Sequence, residues 1–136
     1  HPESKTADQD LHWTRVKQDQ GADFLITQLF FDNADYFDHV RKARAAGVTI
    51  PIVPGIMPIT NVAQVERFTQ MCGATVPETL RARLRPVQDD PGAVMAIGIE
   101  HAIDQCRGLL DGGAPGLHFY TLNKSFATRG ILAALR

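Results

Sequence analysis

The chain has 136 residues, 44% of them hydrophobic and 21% charged. That supports one folded domain and excludes a disordered or low-complexity protein. Fourteen basic against fifteen acidic residues leave a formal charge of −1, so no field of one sign draws in nucleic acid or an anionic membrane.

In chain order, Asp8 to Gln20 is predicted as a polar helix anchored by Leu11 and Val16. Phe24 to Gln28 reads as a short apolar strand. Asn33 is expected to cap the next helix, whose inner face is Tyr36, Phe37, Val40 and Ala43. Ile50 to Gly55 is the second strand, starting at or after Pro51 because proline donates nothing to a ladder. Thr60 or Asn61 caps a third helix with Val62, Val65, Phe68, Thr69 and Cys72 inward, and a further short helix has room to start after Pro77. Asp90 followed by Pro91 is a helix start, and Met95, Ile99, Ala102, Ile103, Cys106 and Leu110 form its expected stripe. The run Gly112 to Gly116 ends that helix. Leu117 to Thr121 is the third strand, and a last helix carries Ala127, Ile131, Leu132 and Leu135.

The order α-β-α-β-α-α-β-α implies parallel strands with covering helices, each strand covered on both faces. No repeat, linker or tract of biased composition divides it, so residues 1–136 are one domain or part of one. No run of eighteen apolar residues suits a membrane span and no secretory leader is visible. The two cysteines, Cys72 and Cys106, lie among apolar neighbours. Free buried thiols in a cytoplasmic protein are expected rather than a disulfide.

Ligands of parallel α/β folds bind at the C-terminal strand ends. That rule selects Gln28, the turn Gly55 to Pro58, and the segment Tyr120 to Lys124. Gln28 offers two donors and an acceptor, suited equally to the edge of a heterocycle or to closing its own strand. Tyr36 and Phe37 fit the mouth of a site or the core. Phe68 has core spacing, and Gly55 suits a tight turn better than a close approach of ligand. The histidines 1, 12, 39, 101 and 118 have no metal-ligand spacing, and no metal is expected. Phosphate-loop, dinucleotide-fingerprint and C-x-x-C motifs are absent from the sequence.

Four stretches carry a family resemblance: His1-Pro2-Glu3 with Lys5, Asp10 and Leu11; Ile26 to Asp32; Pro51 to Ile59; and Leu117 to Asn123. In this order and spacing they resemble the methylenetetrahydrofolate reductases. The resemblance implies the C-terminal part of a (β/α)₈ barrel, about three βα units with a preceding helix. A whole barrel has eight strands and about 250 residues.

It implies FAD-dependent reduction of 5,10-methylenetetrahydrofolate to 5-methyltetrahydrofolate, with NADH or NADPH as reductant. His1, Asp10 and Lys17 match FAD-binding positions. Gln28 matches a glutamine on the pterin, Tyr36 a folate contact, and Phe68 an aromatic stacked on substrate. Trp13 departs from a polar residue near FAD. Lys124 replaces an arginine, which keeps a charge for a folate carboxylate but loses the bidentate fork.

The family's general-acid glutamate and most flavin contacts match no residue of this chain. The chain opens without methionine and is expected to be the C-terminal half of a longer barrel, inactive alone. No catalytic residue is assigned within it. Family members form homo-oligomers, so self-association is expected. Two rivals remain. Another barrel enzyme would want a Schiff-base lysine or a phosphate site. A non-enzymatic half-barrel that pairs with itself would show as a flavin-free dimer.

Overall fold

The computed structural model describes residues 6–136. Its elements are α1 (Ala7–Asp19), β1 (Leu25–Leu29), α2 (Asn33–Ala45), β2 (Ile52–Ile56), α3 (Val62–Cys72), α4 (Glu78–Leu84) with a 3₁₀ turn over Arg85–Val87, α5 (Pro91–Asp111), β3 (His118–Phe119) and α6 (Phe126–Leu135). The helix after Pro77 is present, so three helices connect β2 to β3. The sheet is parallel, ordered β1-β2-β3. This is the α/β arrangement that alternating elements dictate.

Local chemistry sets the helix starts. The Thr6 hydroxyl accepts from Gln9 N at 3.1 Å. Asn61 accepts from Gln64 N at 3.0 Å. Asp90 accepts from Gly92 N and Ala93 N at 3.0 and 3.1 Å, ahead of Pro91, whose missing N–H leaves nothing orphaned there. Asp32, not Asn33, caps α2, accepting from Ala34 N at 2.9 Å. Asn33 is already helical and uses its amide to reach Gln105 O at 3.0 Å.

The main core lies between one face of the sheet and the helices. It joins Ile52 and Ile56 of β2 to Tyr36 and Ala43 of α2, Ala102, Cys106 and Leu109 of α5, and Ile131 of α6. A second cluster closes the C-terminal strand ends with Leu29, Phe31, Met57, Ile59, Val65, Val76, Leu80, Leu84 and Val94. Helix α5 is turned from the expected stripe. Its buried residues are Val94, Gly98, Ala102, Gln105, Cys106 and Leu109, while Leu110 is 43% exposed. Leu132 is likewise on the outside of α6, and Ile131 is buried. Cys106 is buried and Cys72 half-buried, both as free thiols.

Strand β1 is not covered on both faces. Phe24, Ile26 and Gln28 are exposed, alternating with half-buried Leu25 and Thr27. Helices cover the face that carries Leu25, Ile52, Ile56 and Phe119. The opposite face, with Ile26 and its partner Val53, has no second layer among the described residues. No described helix is long and apolar enough to cross a membrane.

Candidate functional site

The β1–β2 ladder breaks where the site begins. Ile26 pairs with Val53, but the next pair is Leu29 with Gly55, so Thr27 and Gln28 together oppose Pro54. Pro54 has no N–H to donate, and a bulge is the usual result of a proline inside a sheet. The Thr27 hydroxyl restores one bond by accepting from Gly55 N at 2.9 Å. The Tyr120 hydroxyl donates to Thr27 O at 2.9 Å. Tyr120 reaches it by crossing Gly55, where a β-carbon would lie 2.5 Å from Thr27 O and 2.6 Å from Tyr120 Cε2. Gly55 is therefore kept bare by the Thr27 carbonyl and the Tyr120 ring, not by a tight turn. The bulge leaves Gln28 exposed, with its Oε1 accepting from Leu29 N at 3.1 Å.

A cavity of about 230 Å³ lies between α1, β1 and α2. Asp10, Thr14 and Lys17 reach it from one face of α1, at the four- and three-residue steps that stack side chains along a helix. Thr14 is buried and donates to Asp10 O at 2.8 Å. Thr27, Gln28, Asp35, Tyr36 and His39 complete the polar lining. Burial holds the His39 imidazole below its ordinary pKa, and Asp10 partly opposes that.

Tyr36 is 4% exposed. Its hydroxyl donates to Ile52 O at 2.8 Å, and its ring stacks on Phe30 with centroids 5.8 Å apart. Burial raises its phenol pKa. It bounds the cavity with its ring while its polar atom serves the core.

A second cavity, about 740 Å³, opens at the C-terminal ends of β2 and β3. This volume is in the range that holds a drug-sized ligand. Lys124 lines it with Gln64, Asn61, Tyr120, Thr121 and Leu122. The backbone turns into it sharply: Leu122 and Asn123 have φ of 48° and 61°, and Lys124 N donates to Thr121 O at 2.9 Å. Left-handed conformation is ordinary for asparagine and costly for leucine. Phe68 is half-buried one turn beyond Gln64, packed on the second core cluster.

Asp10, Lys17, Gln28 and Tyr36 thus share one cavity, Lys124 lines the other, and Phe68 lines neither. His1 lies outside the described residues. Trp13 is half exposed on α1, edge-on to His12. Gln64 was not singled out from sequence, although it follows the Asn61 cap by three residues, as the first turn of α3 requires. Pro54 inside an otherwise apolar strand was the available signal for the bulge. Among the described residues no group of three metal-ligating side chains converges.

Fold and site together define a parallel α/β protein with polar clefts at its strand ends. The family model for methylenetetrahydrofolate reductase matches residues 1–136. The chain is 40% identical over 136 residues to a probable methylenetetrahydrofolate reductase (NADPH) of Caenorhabditis elegans, covering 99% of this chain and 20% of that protein. It is 42% identical over 126 residues to a probable methylenetetrahydrofolate reductase (NADH) of Oryza sativa subsp. japonica, covering 93% and 21%. Against the 5,10-methylenetetrahydrofolate reductase of Pectobacterium carotovorum subsp. carotovorum it is 36% identical over 135 residues, covering 99% and 45%. The chain belongs to the methylenetetrahydrofolate reductase family. It spans between a fifth and a little under half of these relatives.

Proposed function

We propose that this chain supplies the C-terminal part of a (β/α)₈ barrel that reduces 5,10-methylenetetrahydrofolate to 5-methyltetrahydrofolate, using FAD and a reduced nicotinamide. The observation that carries the reading is the shared cavity of Asp10, Lys17 and Gln28, together with a larger cleft that holds Lys124. The donor set suits part of a flavin dinucleotide: a lysine ammonium for diphosphate charge, and Asp10 for a hydroxyl or amine donor. The cavity's 230 Å³ is below what a drug-sized ligand fills, so further residues outside those described would hold the rest. A flavin held there by Asp10 and Lys17 would supply the hydride chemistry that links the nicotinamide to the folate.

The chain's own residues act by binding and orientation. Gln28 holds the heterocycle through its carboxamide, and the bulge keeps that group out of the ladder. Tyr36 contributes a ring wall. Phe68 is assigned an aromatic contact with substrate, reached from the turn below Gln64. Lys124 meets a folate carboxylate as a point charge. His1 is assigned to the flavin. Protonation of the opening methylene bridge needs an acid, assigned to a carboxylate beyond residues 1–136, so no catalytic acid is placed here. The edges of β1 and β3, which pair with no further strand among the described residues, and the face around Ile26 suit completion by further strands. They equally suit pairing of two copies, the second reading.

The test is the visible spectrum of the chain with and without added FAD, followed by light scattering. No flavin uptake by the chain, with uptake and folate reduction once the rest of the barrel is joined to it, is expected. A bound-flavin spectrum from residues 1–136 alone would refute the need for further residues. A flavin-free dimer whose joined form is also inactive would favour the second reading.

A further inference from the structure

Two of the three residues between β1 and α2, Phe30 and Phe31, are held from α5. Phe30 and Phe31 are 7% and 2% exposed, and their carbonyls accept from α5 side chains and not from a strand. The Gln105 amide donates to Phe30 O at 2.9 Å, inside the core. His101 Nε2 lies 3.1 Å from Phe31 O. A carbonyl only accepts, so that nitrogen carries the proton. His101 and Gln105 are four residues apart and share a face of α5. Asn33 closes the arrangement by donating to Gln105 O at 3.0 Å. It comes close because Gly108 is bare: a β-carbon there would lie 2.8 Å from Asn33 Nδ2.

A methionine or leucine at position 105 would fill the core without dehydrating an amide. Burying a glutamine is unfavourable unless its hydrogen bonds accomplish something. Here the bond falls two residues after Gln28. Upstream of Gln28, Thr27 is pinned by Gly55 N and the Tyr120 hydroxyl. Downstream, Leu29 pairs with Gly55, and the next fixed point is Phe30 O on Gln105. The bulged Gln28 lies between these pins, its carbonyl accepting from the Thr27 hydroxyl at 2.9 Å and its Oε1 from Leu29 N at 3.1 Å.

We infer that Gln105, assisted by His101, is a positioning residue for Gln28, holding the loop after β1 so that the Gln28 carboxamide meets the bound heterocycle. The inference rests on the reading of Gln28 as a folate ligand. Displacing a contacting group by a fraction of an ångström is enough to weaken a bound complex measurably.

The experiment uses the full-length protein and measures folate affinity beside the rate of flavin reduction by nicotinamide. Gln105→Met keeps the volume and removes the donor. Folate Kd is expected to rise about tenfold, with flavin reduction unchanged. In a Gln28→Ala background the same change is expected to add less than about twofold, because the group it positions is gone. Should Gln105→Met also lose flavin reduction, His101→Leu is read in its place, with about a threefold loss expected and the same dependence on Gln28. An unchanged Kd, or an equal loss with and without Gln28, overturns the inference. Failure of the unsubstituted protein to bind folate overturns the functional reading instead.

Discussion

Substituting Gly98 with alanine places two known effects in opposition. Gly98 is inside α5, where alanine improves helix stability by about 1 kcal/mol. Gly98 is also buried against the segment after β2. A β-carbon would overlap the Ile59 carbonyl oxygen and lie 2.8 Å from its carbonyl carbon and 2.9 Å from its Cβ. The obstacle is mainly backbone, so no rotamer change relieves it, and α5 must withdraw from Ile59. Overpacking typically costs about 1–3 kcal/mol, and immovable neighbours place this site at the upper end. The net expectation is a loss of about 2 kcal/mol.

Gly130 is the internal control. It is in the interior of α6, and the nearest atom to its added β-carbon is Ile99 Cδ1 at 3.9 Å. Gly130→Ala is expected to stabilise by about 0.5–1 kcal/mol. Urea denaturation followed by far-ultraviolet circular dichroism reads both. A Gly98→Ala chain as stable as the parent would refute the packing argument. Because Pro58, Thr60 and Asn61 of the same segment line the larger cleft, the substitution should also weaken ligand binding there.

Other expectations are independent of that one. Tyr120→Phe removes the donor to Thr27 O and should cost about 0.5–1.5 kcal/mol by the same denaturation assay. Burial pushes the Cys106 thiol up to about 11, so a thiol reagent at pH 8 should leave it unmodified in the native chain and react once urea is added. Burial lowers the pKa of His39 and, against the opposing bond to Phe31 O, of His101. The unfolded chain then binds more protons below the ordinary value of 6.5. Their contribution to stability is complete above that pH and is lost as pH falls from it through the lower folded values. The urea midpoint should therefore drop between pH 7.5 and 5.5, and His39→Phe should reduce the slope. In the full-length protein Lys124→Arg restores a bidentate fork and should lower the folate KM, whereas Lys124→Ala should raise it, by about threefold or more each way.

The helices were legible because their causes are local. The Asn61 cap and the Asp90–Pro91 start are satisfied by backbone groups within three residues of themselves. The three strands were legible as short apolar runs bounded by turns. Asp10 and Lys17 share a cavity because seven residues are two helical turns, a relation written in the sequence.

What depended on tertiary structure involves residues whose partners are distant in the chain. Pro54 inside β2 signals a break in the ladder, but only when it faces β1 does its missing N–H put Thr27 and Gln28 together in a bulge. Periodicity put Leu110 in the stripe of α5. The helix instead turns toward Gly98 and Gln105, because one lets Ile59 approach and the other satisfies a loop carbonyl 75 residues away in sequence. Asn33 left the cap to Asp32 because Gln105 O was within its reach. Phe24 and Ile26 read as buried, but burial of an edge strand requires a neighbour. Composition and spacing decide which segments form helices and strands. Rotation about a helix axis and the register of a ladder are decided by contacts, because each is set by the least accommodating atom across the interface.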